Sequence, residues 1–250
     1  MPMTSVVDLS EVAPGVLQVT MQDRQNKNTF SPELMHGLVE AFAHIEANPG
    51  YRAVILTGYD TYFASGGTKE GLHSIQQGRS KFSDVNLYSL ALECRIPVIS
   101  AMQGHGIGGG FVFGLFADFV VLSRESVYTT NFMKYGFTPG MGATYILARK
   151  LGIPLGHEML MSARVYRGDD LAKRGVPFPV MPRADVLGYA KELAVDLADK
   201  PRGALVTLKD HLVGGMRREL PAVIEQELAM HDVTFSQPEV RERIERLFGN

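Results

Sequence analysis

Gly104-His105-Gly106-Ile107-Gly108-Gly109 is the segment of this chain whose residue types and spacing offer chemistry most directly. It matches G-x-G-x-x-G, follows an apolar run, precedes a short helical pattern and has Glu125 about twenty residues beyond Gly104, as a dinucleotide site requires. That fingerprint is short, however, the chain holds 26 glycines in 250 residues, and the helix that follows must end before Asp118. The same glycines allow a second chemistry. At the start of a helix they leave backbone N–H groups without partners, and such groups can face a ligand oxygen as half of an oxyanion hole. The other half must converge from elsewhere, and the small-residue loop Tyr62-Phe63-Ala64-Ser65-Gly66-Gly67 is suited to it. Two tight turns without chemistry are the plainer alternative.

The titratable residues are individually unremarked. His231 ends the helical stretch Ile224-Glu225-Gln226-Glu227-Leu228-Ala229-Met230, where charged neighbours make a surface position the plain expectation. Lys81 follows Gln76-Gln77-Gly78-Arg79-Ser80, a polar loop in which a solvated lysine is usual. His105 reads as a core histidine bonded to backbone. His36, His44, His73, His157 and His211 have no metal-ligand spacing with cysteine or carboxylates, so no metal site is expected. Cys94 sits in apolar surroundings and reads as an inert buried thiol. A lone cysteine excludes an intrachain disulfide and points to a reducing, cytoplasmic compartment.

The elements around these residues alternate. A helix begins with Ser31 as N-cap and Pro32 at its first position, carries Met35, Leu38, Val39, Phe42 and Ile45 on one face, and closes at Asn48-Pro49-Gly50. A short apolar run follows, Ala53 to Thr57, with the pattern of a strand buried on both faces. A helix from about Asp84 to Glu93 then leads to a strand over Pro97 to Met102, a glycine turn, a short helix near Gly110 to Phe116 and a strand over Phe119 to Leu122. Such alternation predicts an α/β fold with a largely parallel sheet. After Pro139 the apolar spacing becomes helical, and no linker or repeat divides the chain. One domain spanning 1–250 is expected, with a core over about 1–195 and a helical carboxy-terminal subregion over about 196–250.

Composition narrows the class further. Apolar residues make up 45% and charged residues 21%, which excludes a disordered or fibrous chain. The net charge of −2, with no concentrated basic stretch, argues against nucleic acid as a partner. The amino-terminal MPMTSVVDLSEV has no basic stretch before an apolar one and does not read as a signal peptide. Ile96 to Ala117 carries no formal charge and is long enough to cross a bilayer, but six glycines and Pro97 break it into shorter buried elements, and no membrane span is expected.

Taken in order, AVILTGYDTYFASGGTKE, PVISAMQGHGIGGGFVFGLFADFVVLS and FTPGMGATYILARKLG resemble the crotonase, or enoyl-CoA hydratase/isomerase, superfamily over essentially the whole chain. The resemblance implies a spiral of repeated ββα units with a helical carboxy-terminal region, assembled as a homotrimer or a dimer of trimers, and thioester substrates of CoA or of a carrier protein. It implies that the N–H groups of Ser65 and Gly109 form the oxyanion hole. Hydratases of the family carry one glutamate two residues after the third glycine and another seven residues before the proline of the P-G-x-G turn. Here those positions are Val112 and Phe132, in the substrate pocket, and neither side chain can activate water or carry a proton. Through ECRIPVISAMQGHGIGGGFVFGLFADFVVLSRESVYTTNFMKYGFTPGMGATY, LKDHLV and RRELPAVIEQELAMH, the chain is most similar to the decarboxylating crotonases of polyketide β-branching. That resemblance implies conversion of a 3-methylglutaconyl group on acyl carrier protein to 3-methylcrotonyl, after an upstream dehydrating crotonase, with no cofactor. It places the catalytic pair at Lys81 and His231, with Lys69 competing for the first role, and gives the return of the proton to one of the pair, His231 ahead of Lys81. Arg24 and Lys27 fall in a loop where the family meets the pantetheine or nucleotide part of its ligand. An isomerase or decarboxylase of free CoA esters, and a non-catalytic carrier-binding scaffold, are the alternatives.

Overall fold

The computed structural model describes residues 6–248. Residues 1–5, which begin the stretch read as lacking a signal peptide, and 249–250 lie outside the described residues. The apolar runs become a six-stranded sheet in the order β1 (Val7–Ala13), β2 (Val16–Met21), β3 (Ala53–Thr57), β5 (Val98–Met102), β7 (Phe119–Ser123) and β10 (Val180–Met181). Apart from the antiparallel β1–β2 pair, neighbouring strands run parallel. Strand β3 is buried throughout because its alternate side chains feed two cores. Val54 and Leu56 join the larger core beneath α1 (Pro32–Ala47), whereas Ala53 and Ile55 join a smaller one covered by Val186, Ala190 and Ala194 of α8 (Arg183–Ala198).

A second, four-stranded sheet, not anticipated from the sequence, runs β4 (Tyr62–Ala64), β6 (His105–Ile107), β8 (Val127–Thr129) and β9 (Tyr166–Arg167). These strands are only two or three residues long. Their sequences carry no period-2 signal to detect, which is why the glycine turn concealed β6. Strands β3, β5 and β7 are each followed by a short strand of the second sheet and then a helical segment, as in the β5–β6–α4 succession with α4 at Gly109–Leu115. The long uncharged run is cut into those three elements. No helix among the described residues is long and apolar enough to cross a membrane.

Two expectations change. The helix expected from about Asp84 shrinks to α3 (Leu90–Glu93), because the polar residues before it close local turns instead. Asp84 Oδ2 accepts from the Lys81 N–H at 2.7 Å and Asn86 Oδ1 accepts from the Ser89 hydroxyl at 2.8 Å. Conversely, the segment after Gly67 contains a helix, α2 (Lys69–Gln76), whose N-cap Thr68 accepts from the Gly71 N–H.

Beyond the sheets come α5 (Ala143–Leu151), α6 (Ile153–Ser162) and α7 (Gly168–Lys173). The 33-residue α9 (Arg202–Thr234) and α10 (Pro238–Leu247) complete the chain. Near its start α9 is pinned by Lys209, whose buried ammonium donates to Ala91 O at 2.9 Å, Ile96 O at 3.0 Å and Asp118 Oδ2 at 2.7 Å. An uncompensated cation there would be costly, so this triple pairing sets where the helix lies. His231, near the other end of α9, is delivered to the cavity described next.

Candidate active site

A cavity of about 280 Å³ opens between α2, the turn after Phe137, and the ends of α4 and α9. Ser65, Lys81, Gly109, Phe132 and His231 all line it, although they are far apart in sequence. Val112 does not: it is fully buried within α4 and absent from the lining. Lys69 does not line it either, since its ammonium pairs with Glu245 Oε2 at 2.7 Å. The wall is largely aromatic and aliphatic, and Asp84 is its one carboxylate among the described residues.

The two loops that bear the glycines meet closely. A Cβ on Gly66 would lie 2.9 Å from Ile107 O and 3.3 Å from Gly109 N, and Gly66 itself has φ +76. Only glycine lets the loop pass there. A Cβ on Gly110 would lie 2.1 Å from Ala64 O, so α4 rests directly on the end of β4. Gly109 stands in the first turn of α4, where its N–H has no intrahelical acceptor.

Ser65, expected as the second donor, is otherwise engaged. Its N–H donates to Asn28 O at 2.9 Å and its hydroxyl to Lys27 O at 2.6 Å. The Gly67 N–H, two residues on and also at the cavity wall, finds no acceptor among the described residues. The sequence could not separate these positions, because a small-residue loop does not reveal which amide its neighbours occupy. Asn28 is what occupies it. This fully buried residue, at φ +53, accepts from Asp23 N at 2.8 Å and donates to Met21 O at 3.0 Å and Phe63 O at 2.9 Å. With the Phe30 N–H on Gly66 O at 2.7 Å, it clamps the loop that presents Gly67. Asn28→Asp loses the donating half of that clamp and is expected to cost roughly 1–3 kcal/mol, read as a lower urea midpoint. An unchanged midpoint would mean that the loop is held without it.

His231 is 7% exposed, packed on the rings of Phe82 and Phe235 at 5.0 and 4.7 Å. Its Nε2 lies 2.8 Å from Thr138 O. A carbonyl only accepts, so Nε2 carries the proton, and Nδ1 is left as a buried atom without a partner. Burial pushes the imidazole down to about 4, against smaller opposing effects of the Thr138 and Pro139 backbone. The neutral ring therefore presents a lone pair at Nδ1, and direct proton return from His231, as expected from the sequence, does not fit this tautomer. Stability follows. The ordinary value near 6.5 belongs to the unfolded chain, which takes the proton first as pH falls. Stability is expected to be full above about pH 6.5 and to decline toward pH 4 by on the order of 3 kcal/mol. His231→Gln should flatten that part of a urea-midpoint profile, and an unchanged slope would contradict the buried neutral ring.

The remaining candidates fall outside the cavity. Arg24 pairs with Asp60 at 2.8 Å over the Tyr59 ring, and Lys27 is exposed beside it. His105 Nδ1 accepts from Val127 N at 2.9 Å, the backbone-bonded role expected of it. Because His105 lies in a strand and Glu125 accepts from Ser123 Oγ and Arg183 N, the glycine motif does not form a dinucleotide turn. Burial pushes the Cys94 thiol up to about 12, in keeping with an inert residue. Among the described residues no group of His, Cys, Asp or Glu could hold a metal. Phe82 and Met141, which close the cavity over His231 and Gly109, were not foreseen. Met141 had one signal, its place between the glycines of the P-G-x-G turn.

Two strand-ended loops thus converge on a helix N-terminus over an apolar cavity, an arrangement suited to a ligand oxygen that gains negative charge. The sequence matches the enoyl-CoA hydratase/isomerase family over residues 11–248, and the chain belongs to that family, with its crotonase fold. It is 67% identical over 246 residues to the bacillaene synthase decarboxylase PksI of Bacillus subtilis (strain 168), covering 98% of this chain and 99% of that protein. A solved structure from a dehydratase/decarboxylase enzyme couple involved in polyketide β-branching superposes with a TM-score of 0.98 at 67% identity, covering 98% of this chain and 100% of that one. The ECH2 decarboxylase domain of CurF from Lyngbya majuscula gives a TM-score of 0.94 at 48% identity, again covering 98% and 100%.

Proposed function

We propose that the chain is a decarboxylase of polyketide β-branching, converting a 3-methylglutaconyl thioester on acyl carrier protein to 3-methylcrotonyl. The observation that carries this reading is a cavity walled by apolar side chains, with Phe132 where a hydratase needs an acid, whose lining still includes an unpaired lysine and two free backbone N–H groups. The identity to PksI and the CurF domain supports the same reaction class.

In the reaction the bond between C4 and the carboxyl carbon breaks, CO₂ leaves, and the electron pair spreads through C2 to the thioester oxygen. The Gly67 and Gly109 N–H groups receive that charge, a contribution that grows toward the transition state. Lys81 Nζ, which no described carboxylate pairs, orients the departing carboxylate and is the cationic group from which C4 can be protonated. The His231 lone pair accepts a hydrogen bond from that ammonium or from a water and so directs the proton. A tight Lys81–carboxylate pair would hold the reactant more than the transition state, so its role is orientation rather than strong binding.

An upstream dehydrating crotonase supplies the unsaturated substrate, and exposed Leu208, Leu212 and Val233 on α9 support a homotrimer or dimer of trimers. The test is mass spectrometry of 3-methylglutaconyl-loaded acyl carrier protein incubated with the protein. Loss of CO₂ is expected; hydration of crotonyl-CoA, or an unchanged carrier mass, would overturn the reading.

A further inference from the structure

Glu227 is a fully buried carboxylate that the mechanism above does not use. It lies one helical turn before His231 on the same face of α9. Its oxygens accept from Gly142 N at 2.7 Å, Thr144 N at 2.9 Å and Thr144 Oγ1 at 2.6 Å, capping α5, whose own N-cap is a glycine without a side chain. His231 meanwhile donates to Thr138 O. One face of one helix therefore grips the turn from Thr138 to Thr144 at both ends.

What lies between those grips faces the cavity. A Cβ on Gly140 would lie 2.9 Å from both His231 Cε1 and the Phe82 ring, so Gly140 is a seat for the imidazole. Met141 has φ +65, the left-handed region that a non-glycine residue occupies only under constraint. Its sulfur stands 2.5 Å from where a Gly109 Cβ would be, so the thioether covers the α-carbon of the oxyanion glycine. The amide that follows this strained residue is the Gly142 N–H held by Glu227.

We propose that Glu227 is a positioning residue that holds Met141 in its left-handed turn, and thereby keeps Gly109 and His231 in register across the cavity. The inference rests on the functional reading above for its catalytic half. Strain at Met141 and the three hydrogen bonds to Glu227 oppose each other, so the two residues act as a unit. Small displacements of reacting groups are enough to lower rates by about 10²-fold.

The experiment is a double-mutant cycle with carrier-bound 3-methylglutaconyl substrate, using Glu227→Gln, Met141→Gly and their combination, with Thr144→Val as a milder loosening of the same cap. Glu227→Gln is expected to lower kcat by about 10- to 100-fold with KM within about twofold of wild type. Thr144→Val should fall between, which keeps the test alive if Glu227→Gln does not fold. In the Met141→Gly background, where no strain remains to be held, Glu227→Gln should lower the melting temperature by less than half as much as in wild type. Equal losses of melting temperature in both backgrounds, or unchanged kcat for Glu227→Gln and Thr144→Val in an active wild-type background, would overturn the proposal. A wild-type protein that releases no CO₂ overturns the functional reading and the catalytic half with it, while the melting-temperature coupling still decides whether the unit exists.

Discussion

Lys81→Ala and His231→Ala proteins are expected to release CO₂ from 3-methylglutaconyl acyl carrier protein about 10²- to 10⁴-fold more slowly than wild type. The two losses have different causes. Lys81 is the cation on the cavity wall, and its removal leaves the substrate carboxylate unoriented among apolar side chains. His231 is neutral and donates to Thr138 O, so its replacement removes a lone pair at Nδ1 and frees one end of the turn that carries Met141. Because both act on one proton, the double variant should be little worse than the slower single one. Lys69→Ala is the comparison: that lysine pairs with Glu245 outside the lining, so its rate should stay close to wild type. Retained turnover in Lys81→Ala would remove the lysine from the mechanism.

Gly110→Ala is expected to do comparable damage through geometry alone. The added methyl would lie 2.1 Å from Ala64 O and 2.4 Å from Ala64 C, both backbone atoms of β4 that no rotamer can withdraw. Helix α4 must lift from the strand, and the Gly109 N–H at its first turn moves away from Gly67. Loss of one oxyanion donor costs about 10²–10³ in rate, so kcat should fall by at least that much. Overpacking of this kind also costs roughly 1–3 kcal/mol or more, visible as a lower melting temperature. Gly188→Ala in α8, where nothing lies within 4 Å of the added methyl, should leave both unchanged or slightly improve stability. A Gly110→Ala enzyme with wild-type kcat would show that α4 does not supply the donor.

Much of this protein is legible in its residues before any folding is considered. The Ser31-Pro32 start and Asn48 stop delimit α1 and the AVILT run delimits β3, because caps and buried runs are local properties. The ordered glycine motifs likewise carry the family, since close backbone approach demands glycine at those points whatever lies around them. Only the tertiary structure decided which amides are free. As donors, Ser65 and Gly67 are told apart by Asn28, 37 residues before Ser65, whose carbonyl takes one N–H and leaves the other. It also decided that Lys81 rather than Lys69 reaches the cavity, that Val112 does not, and that His231 is buried, neutral and held on Thr138. Those outcomes depend on partners brought together from distant parts of the chain, and a hydrogen bond or a desolvated ring exists only once both sides of it are in place.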